Sequence, residues 1–313
     1  MADKKSFSLN LQKLGPFIGL LVITIILAVM SPNFLTLNNI LNVLRQVSIN
    51  ALIAFGMTFV ILTGGIDLSV GAILALSGAL TAGLMTGGMD PLLAILVGLL
   101  AGTAMGMVNG LLVAKGKVAP FIATLATMTI FRGLTLVYTE GRPITGFDSD
   151  MFTMLGAGYL FSIPVPVIWT IGCFAVLYFI LKKTAFGRRV YAIGGNEEAA
   201  ILSGIKVSRV KVYIYALTGF LSALAGIILT SRLNSAQANA GMGYELDAIA
   251  AVVLGGTSLS GGRGWIFGTL IGAMIIGVLN NGLNLLEVSS FYQQVVKGSV
   301  ILLAVLLDRK KAA

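Results

Sequence analysis

GRRVYAIGGNEEAAILSG, residues 187–204, is a charged and capped segment in a chain that otherwise runs from one apolar stretch to the next. Asn196 is the residue type of a helix N-cap. Glu197 and Glu198 place acid in the first turn, where it complements the helix dipole, and Gly204 suits the left-handed residue that stops a helix. The helix so bounded is barely two turns long. Isolated helices that short are marginal in water, so this one is expected to be held by the protein's own surface or by a partner's groove. The alternative is a loop helix that only lies on a membrane.

What flanks the segment decides the fold class. The 313 residues are 57% hydrophobic and 11% charged, against roughly 45–50% and 25% in a soluble domain. The chain therefore reads as an all-α integral membrane protein. A bilayer core takes about 20 helical residues, and segments of that size fall near 15–31, 45–63, 68–86, 91–113, 119–139, 164–181, 210–230, 245–261, 264–283 and 291–307. One membrane domain over 1–313 is expected, with about ten spans and its longest polar loop, 182–209, between the sixth and seventh. The eighth segment is the weakest, because its apolar run Ala248–Leu254 meets Gly255-Gly256; a broken or re-entrant helix fits there. Lys4, Lys5 and Lys13 before an apolar stretch resemble a secretory signal, but Ala28-Val29-Met30 is a poor cleavage site, so the first span reads as uncleaved.

The basic residues set an orientation. With the N-terminal tail inside, the inner segments hold Lys4, Lys5, Lys13, Lys115, Lys117, Lys182, Lys183, Arg188, Arg189, Lys206, Arg209, Lys211, Arg263, Arg309, Lys310 and Lys311, and the outer ones only Arg45, Arg142 and Arg232. The positive-inside rule then places both termini and the 182–209 loop in the cytoplasm of a multi-pass plasma-membrane protein. Two tails on one side require an even number of crossings, which favours counting the eighth segment. The net charge of +9 is thus a topology signal and not one for nucleic acid. Arg132 and Lys297 fall inside spans, off-centre, and are expected to snorkel to an interface.

Chemistry is restricted by what is missing from the sequence. There is no His and a single Cys, Cys173, so His-ligated metal sites, His catalysis and disulfide frameworks are excluded. No catalytic constellation, metal cluster or cofactor motif stands out, and no Gly-x-x-x-x-Gly-Lys-[Ser/Thr] phosphate loop exists. Nearly all acids lie in tails, loops or span ends, unlike a carrier driven by protons or sodium. Energy has to come from elsewhere.

Candidate path residues come from an internal echo. Gly64 to Gly71 and Gly255 to Gly262 agree at five of eight positions, 191 apart, which fits either chance or two related halves. Paired glycines free backbone amides and carbonyls, which is tolerated at membrane depth only beside protein or a wet cavity. Gly64, Gly65, Asp67 and Ser69, with Gly255, Gly256, Thr257 and Ser258, are therefore candidates for the pathway wall; Asp67 also suits a cap for the next helix. Asn280 and Asn281, like Asn50, Asn109 and Asn284, suit either a polyhydroxylated solute or interhelical hydrogen bonds. Gly98, Gly102 and Gly106, and Gly268, Gly272 and Ala273, have the spacing of close helix contacts.

Glu198-Ala199-Ala200-Ile201-Leu202-Ser203-Gly204 resembles the Glu-Ala-Ala-x-x-x-Gly core of the cytoplasmic loop in bacterial ABC import permeases, the element that docks into an ATPase. Ile214 falls where the longer motif has Ile, but its following Leu-Pro is absent, which argues against the maltose type. SPNFLTLNNILNVLRQVSINAL, ILTGGIDLSVGAILALSGAL, KVAPFIATLATM, GYELDAIAAVVLGGTSLSGGRG and LNNGLNLLEVSSFYQQVVKGSVILLAVLLD, between about residues 31 and 308, resemble stretches of the ribose permeases. That resemblance implies a ten-span permease, not itself an enzyme, acting as a homodimer in membrane lipid. It also implies a separate ATP-binding subunit gripping residues 196–204 and an extracytoplasmic sugar-binding protein, with relatives for xylose, galactose, allose and a quorum-signalling furanosyl compound. The outer loop 140–163, with Glu140, Arg142, Asp148 and Asp150, would receive the binding protein. An ion-coupled carrier of a small polar solute is the alternative.

Overall fold

The computed structural model describes residues 2–147 and 149–312. Among them the helices are α1 (Ala2–Met30), α2 (Leu37–Leu62), α3 (Val70–Thr86), α4 (Pro91–Ala114), α5 (Pro120–Thr139), α6 (Asp150–Gly156), α7 (Val165–Lys183), α8 (Ala185–Gly195), α9 (Glu197–Leu202), α10 (Val207–Leu233), α11 (Tyr244–Leu254), α12 (Ile266–Leu285) and α13 (Ser290–Ala312). A two-stranded antiparallel hairpin, β1 (Tyr159–Leu160) and β2 (Ile163–Pro164), precedes α7. Among the described residues six helices, α2, α4, α5, α7, α10 and α12, are long and apolar enough to cross a membrane; Leu14–Met30 and Val70–Thr86 are shorter apolar helices.

Helix α2 is the axis of the bundle. From Val47 to Leu62 every residue is buried, as expected of a helix apolar on all sides. The companion helix α10 packs on α4 through small residues. A side chain at Gly102 would run into Ala223, one at Gly106 into the Tyr215 carbonyl and Gly219, and one at Gly110 into Val212. Glycine here lets two backbones approach, which is how helices associate where lipid provides no hydrophobic drive. The expected contact at Gly272 is likewise made, against Ala251 of α11. Helices α4, α5 and α7 instead bury only one side; Leu100, Val137 and Phe179 are among many large apolar side chains left exposed.

Two helices start deep in the bundle. Leu74 of α3 lies against Gly226 of α10, so α3 begins far beyond the first turn of α10. After α10 the chain folds back, and Gly241 sits against Gly71 and Leu74, about two turns below the end of α10. Helix α11 then starts from inside and stops at Leu254. The eighth expected segment, 245–261, is thus helical only over its first part, because Gly255 and Gly256 end it.

The glycine echo has a structural explanation that is not a repeat in register. Helix α2 ends with Gly64 at φ +76, its N–H bonded to the Ile61 carbonyl and that of Gly65 to Val60. Helix α11 ends with Gly256 at φ +87, its N–H bonded to Val253 and that of Thr257 to Val252. Both are Schellman stops, which need a left-handed residue. Gly64 therefore corresponds to Gly256, one residue off the alignment of the sequence echo.

Candidate functional site

The two stops converge. The N–H of Gly262 donates to the Leu62 carbonyl at 2.9 Å, so the 255–265 link satisfies an orphan carbonyl at the end of α2. Gly194 of α8 is pressed against the same carbonyl, where a side chain would not fit. Tyr191 of α8 donates its hydroxyl to the Gly264 carbonyl at 2.8 Å; burial pushes that phenol up from its ordinary value, which keeps the donor proton in place. Helix α8 is thereby latched to both stops.

Helix α9 follows α8 directly. The Asn196 side chain accepts from the Ala199 N–H at 2.9 Å, and Gly204 closes the far end at φ +80. Glu197 pairs with Lys211 of α10 at 2.7 Å, and Ala200 is buried. Glu198 and Ala199 are exposed, and Ser203 returns its hydroxyl to the Ala199 carbonyl. Ile201 is 55% and Leu202 89% exposed. A cavity of about 850 Å³ beside α9 is lined by Lys115, Lys117, Lys206, Arg209 and Lys211. The sequence pattern singles out the acids of this helix; its outward chemistry is instead an apolar tip within a basic rim.

Several path candidates are internal fasteners. Asn109 donates to Ser69 at 2.7 Å, and Ser69 donates from its hydroxyl to Asp67 at 2.7 Å, all three buried. Asp67 accepts from the Ser69 N–H too, so it orders the residue before α3 instead of capping the helix itself. A side chain at Gly65 would meet the Tyr215 hydroxyl, and one at Gly255 the backbone of Gly268. Asn281 exchanges two hydrogen bonds with Asn39, at 3.0 and 2.8 Å, which is the packing role. Asn280 lies beside Asp247, and its buried carbonyl oxygen has no hydrogen-bond partner among the described residues. Thr257 keeps a buried hydroxyl without a partner there, and Ser258 accepts from Ser260.

Neither intramembrane cation snorkels. Arg132 of α5 donates to the carbonyls of Ala238 and Ala240, at 2.5 and 2.8 Å, and so holds the folded-back 234–243 segment. Lys297 of α13 pairs with Asp247 of α11 at 3.1 Å, with the carboxylate only 4% exposed. Partnered inside the protein, each charge avoids the lipid that snorkelling would only partly escape. Neither partner was legible from spacing, since they lie 106, 108 and 50 residues away.

At the end opposite α9, Glu140 takes a left-handed backbone at the end of α5, Arg142 is exposed beside it, and Asp150 opens α6 behind the Ser149 cap. Asp148 lies outside the described residues. The β1–β2 hairpin, absent from the sequence reading, presents Phe161 at 90% exposure.

The family model described as branched-chain amino acid transport system / permease component matches residues 39–305. The chain is 70% identical to the ribose import permease protein of Bacillus subtilis (strain 168), over 97% of this chain and 94% of that one. It is 56% identical to the ribose import permease protein of Escherichia coli (strain K12), over 94% and 92%. It is 46% identical to the D-allose transport system permease protein of the same strain, over 98% and 95%. No solved structure matches. A family match over most of the length, joined to relatives this similar from end to end, means that this chain belongs to the import permeases of ABC transport systems, membrane components that leave ATP hydrolysis to a separate subunit.

Proposed function

We propose that this chain, paired with a second copy of itself, forms the plasma-membrane path of an ATP-driven ribose importer, and that α9 is the handle by which the ATPase subunit moves it. The ribose assignment rests on the 70% and 56% identical ribose permeases. Ten crossings are supported by the packing: α2 with α12, α4 with α10 and α11 with α12 run antiparallel, and α1 with α12 and α3 with α10 run parallel, as alternating crossings would. Both chain ends then lie at the α9 end of the bundle, which the basic residues assign to the cytoplasm. The opposite end, with Glu140, Arg142, Asp150 and the hairpin, receives the loaded binding protein. The 64–69 link is fastened internally, and the 255–258 link and Asn280, which keep the Thr257 hydroxyl and the Asn280 carbonyl oxygen unpartnered among the described residues, belong to the moving wall of the path.

One observation carries the coupling role. Helix α9 points Leu202 outward and is joined to α8, which is latched to the ends of α2 and α11. A push on α9 is delivered to both broken-helix links as a rigid-body displacement, the kind of motion that toggles a two-state bundle. Glu197→Lys would repel Lys211 and so test folding as much as docking. Leu202→Asp is the cleaner variant. In a complex reconstituted with ATPase and binding protein, it is expected to cut ATPase co-elution and ribose uptake at least tenfold while leaving membrane insertion intact. Wild-type uptake by Leu202→Asp and Gly204→Val would show that α9 is only a surface loop.

A further inference from the structure

Above the point where Gly241 rests on Gly71, a cavity of about 420 Å³ opens toward the hairpin end. Its walls are the middle of α2, the end of α10 and the folded-back segment before α11. Three amide side chains, Gln46, Gln237 and Asn239, and the Tyr244 phenol line it. Among the described residues none of these four side chains has a hydrogen-bond partner, whereas Asn39 and Asn281 pair with each other across two helices. Arg232 stands at the rim, with one guanidinium nitrogen committed to Asn42 at 3.2 Å.

Amides offer donor and acceptor together, and a phenol does both as well. That is the complement of a ring of hydroxyls, each of which donates and accepts. The Tyr244 ring adds a flat apolar face for the C–H side of such a ring. The lining residues carry no carboxylate, and the nearest acid, Glu245, lies beneath them against Gly71, at the floor. Its size falls in the range of roughly 300–1,000 Å³ typical of small-molecule clefts, and it leaves room for waters of about 30 Å³ each beside a small sugar. The floor is the Gly71–Gly241 crossing, closed in this conformation.

We infer that this cavity is a monosaccharide subsite, where a neutral pentose released by the binding protein waits on Gln46, Gln237, Asn239 and Tyr244 until the crossing beneath it opens. The inference rests on the reading of the chain as a sugar path and adds to it a specific holding site within the membrane part.

Two measurements on the complete importer decide it. In the first, Gln46→Ala/Asn239→Ala, confirmed to assemble with the ATPase, is assayed for ribose uptake at saturating loaded binding protein; a fall of about tenfold is expected. In the second, Asn239→Cys in a Cys173→Ser background is alkylated in the permease–ATPase complex without binding protein. Ribose at millimolar concentration is expected to slow alkylation at least threefold and mannitol, a linear polyol, to have no effect. Wild-type uptake by the double variant overturns the subsite, and so does alkylation indifferent to any monosaccharide, even where uptake falls, since the amides would then act only on structure. If the wild-type importer carries another monosaccharide and that sugar protects the thiol of the Asn239→Cys variant, the ribose assignment fails and the subsite stands.

Discussion

Single residues at the broken helices hold charge in a place where charge is costly, and this makes their partners measurable. Arg132 is spent on two carbonyls of the 234–243 segment. Hydrogen bonds from charged groups contribute about 1.5–3 kcal/mol each, so Arg132→Met, which loses two, is expected to lower stability by at least about 3 kcal/mol and to free the segment. Limited proteolysis near residues 234–243, alongside a thermal melt in detergent, checks both effects. The Lys297–Asp247 pair behaves differently. Removing one partner strands a buried charge, at about 3–5 kcal/mol; Lys297→Met is therefore expected to be far worse than Lys297→Met/Asp247→Asn, in which neither charge remains. Equal melting temperatures for the single and double variants would show that the pair does not couple.

Among the helices, the α4–α10 seam and the free faces of the peripheral elements make opposite demands. At Gly102 a side chain would meet Ala223 and the Gly219 carbonyl, whereas at Gly133 of α5 nothing lies within 4 Å. Gly102→Leu overpacks a seam of backbone contacts, a change costing about 1–3 kcal/mol or more, and is expected to abolish recovery of monodisperse protein. Gly133→Ala is expected to stabilise by up to about 1 kcal/mol, the helix propensity that glycine forfeits. Both effects are read from size-exclusion profiles and melting midpoints. Helix α9 owes its existence to the same logic in reverse: six residues long, it persists because Ala200 is buried and Glu197 reaches Lys211.

Across the full bundle, α7 separates the hairpin that precedes it from α8 and α9 that follow it, and so puts them at opposite ends. Leu202 and Phe161 are the exposed markers of those ends. In a Cys173→Ser background, Phe161→Cys is expected to react with an impermeant maleimide added to intact spheroplasts, and Leu202→Cys only after the membrane is opened. The reverse pattern would invert the orientation.

Features that are local or compositional were legible in the chain alone. Membrane residence follows from the sum of side-chain transfer energies, and the α9 caps at Asn196 and Gly204 need only neighbours in the chain. The interruption after Leu254 follows from Gly255-Gly256, because a left-handed stop needs no distant partner. Which polar groups are fasteners and which are free depends instead on the packed bundle. Asn281 and Ser69 look on paper like Gln46 and Asn239, yet the first two are satisfied by partners on other helices and the last two face an open cavity. The fates of Arg132 and Lys297 were hidden for the same reason. A hydrogen bond or ion pair acts over about 3 Å, and the contacts that satisfy these groups join residues tens to hundreds of positions apart, which periodicity along one helix does not record.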